Sequence, residues 1–135
     1  MFEREINLIG EDNYLKLKNS NILVIGVGGV GGYAVETLIR SGIENITLVD
    51  YDNIDISNIN RQVIALSSNI GNSKVEEFKK RILSINSNVK VKIIKEKINE
   101  DNIDLLFEED YDYIIDACDT MIVKKLLIKM CHKKH

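Results

Sequence analysis

Residues 21–32, NILVIGVGGVGG, decide how the rest of the chain is read. Four apolar residues, Ile22–Ile25, run into a glycine cluster, and Tyr33–Arg40 beyond it carries a helical pattern. The order is strand, turn, helix. Gly26, Gly28 and Gly31 have the G-x-G-x-x-G spacing, with Gly29 between them. In that spacing the missing side chains permit a tight turn and let a phosphate approach the backbone at a helix N-terminus. A phosphate-bearing nucleotide is the ligand this pattern points to; a plain strand-to-helix turn, which also gathers glycines, is the alternative. Ile46–Val49 reads as a second strand ending at Asp50, 19 positions after Gly31. That is close to the roughly 20 at which a carboxylate meets a ribose hydroxyl. A solvated turn residue is the alternative reading of Asp50.

With 135 residues, 44% of them hydrophobic, the chain suits one domain with its own core. A net charge of -3 gives no general attraction for nucleic acid or anionic membrane, so an RNA partner would need a local basic patch. No apolar run approaches the roughly 20 residues of a membrane span. The N-terminus, MFEREINLIG, has acids where a signal peptide has bases, and a cytoplasmic location with no membrane partner is expected. Cys118 and Cys131 show no C-x-x-C spacing and read as buried thiols. His132 and His135, in the run CHKKH, read as solvated.

Residues 2–17 read as helical, with Phe2, Ile6 and Ile9 on a stripe, and Arg4 is a single exposed cation in this arm. After the glycines, Val30, Ala34 and Leu38 fall four apart with Val35 and Ile39 beside them, a broad face for packing on a sheet. An Asp- and Asn-rich loop, Tyr51–Asn58, precedes the segment Ile59–Leu66. Gly71 and Asn72 form a turn, and Ser73 with Glu76 is a capping box opening a helix marked by Val75, Phe78, Ile82 and Ile85. Lys74 then occupies the first helical position, where a cation opposes the helix dipole at a cost of up to about 1 kcal/mol. A local rule broken without visible gain points to function; a tolerated exposed lysine is the alternative.

Val89–Ile94 alternates Val and Lys, the pattern of an edge strand; residues 102–108 suit a short helix, and Tyr113–Asp116 reads as a buried strand. Ile122, Val123, Leu126, Leu127 and Met130 mark a last amphipathic helix. Strands alternating with helices give an α/β fold, a Rossmann-like doubly wound, mostly parallel sheet. The expected order is 3-2-1-4, with the glycine turn, Asp50, Asp116 and Asp119 facing one crevice at the carboxyl ends of the strands. The expected division is a helical arm over 1–19 and a nucleotide-binding domain over 20–135, the latter cut short at its C-terminus because only half of a doubly wound sheet is present.

Asn58, Arg61, Gln62 and Lys74 lie between the second and third strands. A dinucleotide site does not require so many donors, whereas a triphosphate would use the fork of Arg and the ammonium of Lys, with Mg2+ on a later Asp. At these residues the sequence resembles the ThiF/MoeB/E1 superfamily of adenylating enzymes, which activate ubiquitin-like and sulfur-carrier proteins. The matching stretches are GVGGVG at 26–31, LVDYD at 48–52, SNINRQ at 57–62, GNSK at 71–74 and DACDT at 116–120. FER at the start, RSGI at 40–43 and SNINRQVIAL resemble most closely the tRNA threonylcarbamoyladenosine dehydratase branch.

The resemblance implies that Gly26, Gly28, Gly29 and Gly31 hold ATP phosphates, that Asp50 binds the ribose with Asp52 and Gln62 nearby, and that Asn58, Arg61 and Lys74 contact phosphates. It implies Mg2+ at Asp119 and, in a homodimer, Arg4 reaching into the partner's site, so that Arg4, Arg61 and Lys74 are the catalytic candidates. The implied chemistry is adenylation of a carboxylate: that of t6A37 in tRNA, closing a ring with loss of AMP, or the C-terminal glycine of a small carrier protein. An NAD-binding oxidoreductase and a non-catalytic nucleotide-binding module are the alternatives from other classes. Gly32 stands where this branch more often has Ser, and is expected to loosen the first helical turn. Cys118 is at a variable position and is not the thioester cysteine of ubiquitin-activating enzymes.

Overall fold

The computed structural model describes residues 1–118, Lys125 and Ile128. Its central strand, β1 (Asn21–Ile25), buries Ile22 to Ile25 on both faces, as a parallel strand between two neighbours demands. β2 (Asn45–Val49) pairs with it on one side and β4 (Tyr113–Asp116) on the other, while β3 (Lys90–Ile94) lies outside β2. The order is β3-β2-β1-β4 with every pairing parallel, the topology read from the sequence. The register sets Ile25, Val49, Ile94 and Asp116 level with one another. Whatever follows those residues therefore lies along one edge of the sheet.

Strand alternation divides the core. Ile22, Val24, Ile46 and Leu48 meet Val35 and Ile39 of α3 (Gly29–Arg40) and Phe78 and Ile82 of α4 (Lys74–Ile85). Leu23, Ile25 and Val49 face the other way, onto Ile98 and the 3-10 turn Ile103–Phe107. That turn stands where a short helix was expected. Each fully buried aliphatic side chain contributes about 1.5–3 kcal/mol.

Some expectations need correction. Residues 2–17 form two helices, α1 (Glu3–Ile9) and α2 (Glu11–Asn19), because Gly10 takes φ 86 between them. The ring of Phe2 reaches Tyr14 at 5.9 Å, and α1 buries no residue. The buried face of α3 is Gly31, Gly32, Val35 and Ile39, while Val30, expected inside, is 81% exposed. Gly32 also has a packing role: a Cβ there would stand 3.0 Å from the Phe78 ring, so the glycine lets α3 approach α4. β4 is half-buried, with Tyr113 exposed, because β1 is its one neighbour among the described strands. The helix expected over 122–130, apart from Lys125 and Ile128, lies outside the described residues, as do Asp119, Cys131, His132 and His135.

Among the glycines the tightest site is Gly31, where a Cβ would lie 1.8 Å from the Gly26 carbonyl oxygen, a backbone atom. Gly31→Ala should therefore cost about 3 kcal/mol or more in urea denaturation; a loss below about 1 kcal/mol would show that the turn can open. A second constraint joins the helices: Glu36 accepts from Arg40 at 3.0 Å and from Arg81 of α4. Burial would raise the Glu36 carboxyl, but the bonds from Arg81 and Arg40 outweigh it and hold the group below its usual range. With the folded pKa depressed, this stabilisation is present above the ordinary glutamate pKa of about 4.3 and is lost as pH falls through the lower folded value. Glu36→Gln should flatten that part of the acid denaturation curve and lower stability at neutral pH; an unaltered acid limb would refute the coupling.

Candidate nucleotide-binding site

A cleft of about 530 Å³ opens at the carboxyl edge of the sheet. Its floor is the turn after β1. Gly26 there has φ 89, and a Cβ would meet the Ala117 carbonyl oxygen at 2.7 Å, so the turn fits against the segment after β4 only as glycine. Gly28 and Gly29 differ in kind, since a Cβ would find Gln62 at 3.4 Å and the Arg61 carbonyl at 3.7 Å, close to ordinary contact distance. The fold does not demand glycine at 29. The N-cap residue of α3, Gly28, offers no side-chain cap, leaving the N–H groups of the first turn to an outside acceptor.

Asp50, directly after β2, ties this turn to the next loop. Its Oδ2 accepts from Val27 N at 3.0 Å and its Oδ1 from Asp52 N at 2.8 Å. Each oxygen keeps a lone pair for a ribose hydroxyl. The chain then doubles back: Ile54 N donates to Asn72 O, Gly71 N to Ile54 O and Lys74 N to Asp52 O, at 2.8, 2.7 and 3.1 Å. This clamp sets Lys74 beside Asp52. Ser73 caps α4 by accepting from Glu76 N, one half of the expected capping box; the return bond from Ser73 N to the Glu76 side chain is not among those of the described residues. Lys74 is buried at 5% exposure, with Nζ 3.7 Å from Asp52 Oδ2, so the exposed-lysine alternative is excluded.

Asn58, Arg61 and Gln62 come from a 3-10 turn (Ile56–Asn58) and the residues after it. Asp55 caps that turn, and its carboxyl is held below the usual range first by the backbone bond from Ser57, with a smaller contribution from the charge of Lys74. Asn58 is fixed in return, its Oδ1 accepting from Asp55 N at 2.8 Å. The exposed Arg61 bonds Ser57 O and Asn60 Oδ1, keeping further N–H donors for a ligand. Gln62 is buried, and its Oε1 has no partner among the described residues.

Gly26, Gly28, Gly29, Asp50, Asp52, Asn58, Arg61, Gln62 and Lys74 all line this one cleft. Gly31 does not; it is buried beneath the turn and serves packing. Arg4 is exposed on α1, away from the cleft walls. The sequence reading missed Tyr51, Glu96, Lys97 and Ile98, which also line the cleft, with the Lys97 ammonium 5.5 Å from the Tyr51 ring centroid. The signal was available: Glu96 to Ile98 follow β3, whose end abuts that of β2.

The sequence profile of the ThiF family matches residues 2–135. This chain belongs to the ThiF family. Among relatives, it is 44% identical over 133 residues to the tRNA threonylcarbamoyladenosine dehydratase of Bacillus subtilis, covering 98% of this chain and 52% of that protein. It is 42% identical over 118 residues to the adenylyltransferase and sulfurtransferase UBA4 of Vanderwaltozyma polyspora, covering 87% of this chain and 27% of that protein. The crystal structure of the E. coli dehydratase TcdA in complex with ATP superposes with a TM-score of 0.94 at 37% identity, over 98% of this chain and 55% of that one. The chain thus spans about half the length of the dehydratases it matches.

The turn separates glycines that the fold requires, Gly26 and Gly31, from one that it does not, Gly29, which gives a direct test. Gly29→Ala should leave thermal stability unchanged or raise it by up to about 1 kcal/mol through helix propensity. It should also weaken nucleotide binding about tenfold or more, because a methyl would narrow the cradle. Retained affinity measured by calorimetry would show that the ligand does not approach this turn.

Proposed function

We propose that this chain forms the nucleotide-binding part of an ATP-dependent adenylating enzyme acting on the threonyl carboxylate of t6A37 in tRNA. The observation that carries the proposal is the convergence of an uncapped glycine turn and two cations, Arg61 and Lys74, on one cleft. The residues fit a triphosphate: N–H groups at the start of α3, a fork at Arg61, a point charge at Lys74 and the Asn58 amide supply donors to phosphate oxygens. Asp50 takes the ribose. The similarity to the B. subtilis and E. coli dehydratases, one crystallised with ATP, supports the nucleotide and the substrate.

In the reaction the carboxylate oxygen attacks the α-phosphorus of ATP, the bond to the β-phosphate bridging oxygen breaks, and pyrophosphate leaves. A nucleophilic atom of the same modified residue then attacks the acyl carbon, closing a ring and expelling AMP. An ionised carboxylate needs no general base. The chain's residues act by positioning the triphosphate and neutralising the charge that moves onto the leaving pyrophosphate.

Among the described residues no cluster of three or more metal-ligating side chains exists. Mg2+ needs only one or two carboxylates beside the phosphates, and Asp119 would take that part. Bound there, Mg2+ would supply further charge neutralisation. Arg4 is assigned to the site of a second copy in a homodimer. Its exposure, and the absence of any buried residue on α1, leave it available for that. A second reading, adenylation of the C-terminal glycine of a small carrier protein, is favoured by the similarity to UBA4.

Calorimetry should register MgATP binding, and Lys74→Ala or Arg61→Ala should weaken it about tenfold or more, the loss of a charge-assisted contact worth about 1.5–3 kcal/mol. A preference for NADH would refute the proposal in favour of an oxidoreductase. Pyrophosphate exchange that requires t6A-bearing tRNA supports the first reading, and exchange that requires a carrier protein supports the second. ATP binding with no exchange, even when the polypeptide is extended to the length of the relatives, would leave a nucleotide-binding module.

A further inference from the structure

Lys74 occupies an electrically costly position. Its side chain is 6% exposed, and it opens α4, where the helix dipole opposes a cation. An ammonium taken out of water needs a counter-charge. Among the described residues its ion-pair partner is Asp52, at 3.7 Å, and that side chain is 49% exposed. The partners are thus unequal: one cannot rehydrate where it stands, and the other already half does.

The backbone holds the pair together without using the Asp52 carboxylate. Asp52 N donates to Asp50 Oδ1, and Asp52 O accepts from Lys74 N. Asp55 is another acid near Lys74, but its carboxylate is engaged in capping the Ile56–Asn58 turn. A phosphate entering the cleft brings its own negative charge to Lys74 and repels Asp52, which lines the same cleft.

We propose that Asp52 is a resident counter-ion, neutralising the buried Lys74 ammonium while the cleft lacks phosphate and surrendering it to the triphosphate on binding. Asp52 is then a positioning residue that acts through Lys74 and does not itself bind the nucleotide. The direction of the exchange follows from the exposures: the carboxylate turns to water at little cost, and phosphate oxygens take over the ammonium. The inference rests on the ATP reading of the site.

Asp52→Asn keeps both backbone bonds and removes only the charge, so melting curves of the chain with and without MgATP test the idea. Without nucleotide, Asp52→Asn should lower Tm by about 3–6 °C. It should also tighten MgATP roughly two- to fivefold, the effect of removing one partly screened like charge. Lys74→Met, an apolar replacement of similar length, should hold or raise Tm and abolish the MgATP shift, and the double variant should behave like Lys74→Met alone. Lys74→Gln serves if the Met variant does not fold. Weaker MgATP binding by Asp52→Asn with no fall in Tm would overturn the proposal and make Asp52 a ligand contact. An equal Tm loss from Asp52→Asn on the Lys74→Met background would overturn it too. If the unaltered chain shows no MgATP shift, the ATP reading fails, while the nucleotide-free coupling of the two residues still decides the counter-ion role.

Discussion

The Asp50 carboxylate is the joint on which the site depends. Two parallel strands, β1 and β2, end level with each other, and nothing in a parallel ladder fixes how the chain departs from their ends. Asp50 supplies that constraint by accepting from Val27 N on one side and Asp52 N on the other. From Asp52 the constraint continues to Lys74 N and so to the first turn of α4. The glycine turn, Asp50 and the buried Lys74 are therefore linked by consecutive hydrogen bonds, and the geometry of one sets the others. Such linkage holds charged groups where a ligand needs them before it arrives, which is how a site avoids reorganising during a reaction.

Elsewhere the chain follows ordinary packing rules, with apolar residues alternating between the α3/α4 face and the opposite face of the sheet. The departures collect in the cleft. Lys74 is buried beside a half-exposed acid, and Gln62 Oε1 is buried without a partner among the described residues. An unmade buried hydrogen bond costs about 1–3 kcal/mol, and an uncompensated buried charge costs more. A sequence selected for stability alone would replace both groups. Both groups line the proposed nucleotide cleft, where a ligand that engages them would offset the cost.

What could be read from the sequence was what is local and periodic. The apolar run of β1, the Ser73 cap, the strand order and the edge character of β3 rest on neighbours a few residues apart, or on rules general to parallel sheets. Features that arise from an absence were harder. Gly31 and Gly32 belong to the buried face of α3, yet a hydrophobic pattern counts glycine as nothing and so turned the helix toward Val30. Gly10, inside a helical periodicity, broke the arm in two. Lys74 broke a local rule visibly, but its burial follows from the pairing of 52–54 with 71–74, which no spacing reveals. Tyr51 and Glu96 to Ile98 reach the cleft by the register of β3 with β2, legible only once the sheet has been drawn.

A chain of net charge -3 with a proposed site for a polyanion presents an apparent conflict, and the two cations would resolve it differently. Attraction at contact depends on the local counter-charge and dielectric more than on a net charge screened within about 8–10 Å. Arg61 is exposed and held by neutral acceptors, Ser57 O and Asn60 Oδ1. A phosphate has only to outcompete uncharged oxygens for its fork. Lys74 is buried and held by a carboxylate, so the phosphate must replace a full negative charge, in a medium where each ion interacts more strongly. The first cation thus gives a contact that forms at little cost in water, and the second a contact whose strength depends on the ligand being anionic. An uncharged ligand could not replace Asp52 at Lys74 without leaving the ammonium unpaired, so in the proposed site the buried lysine would contribute a selectivity for phosphate that net charge cannot.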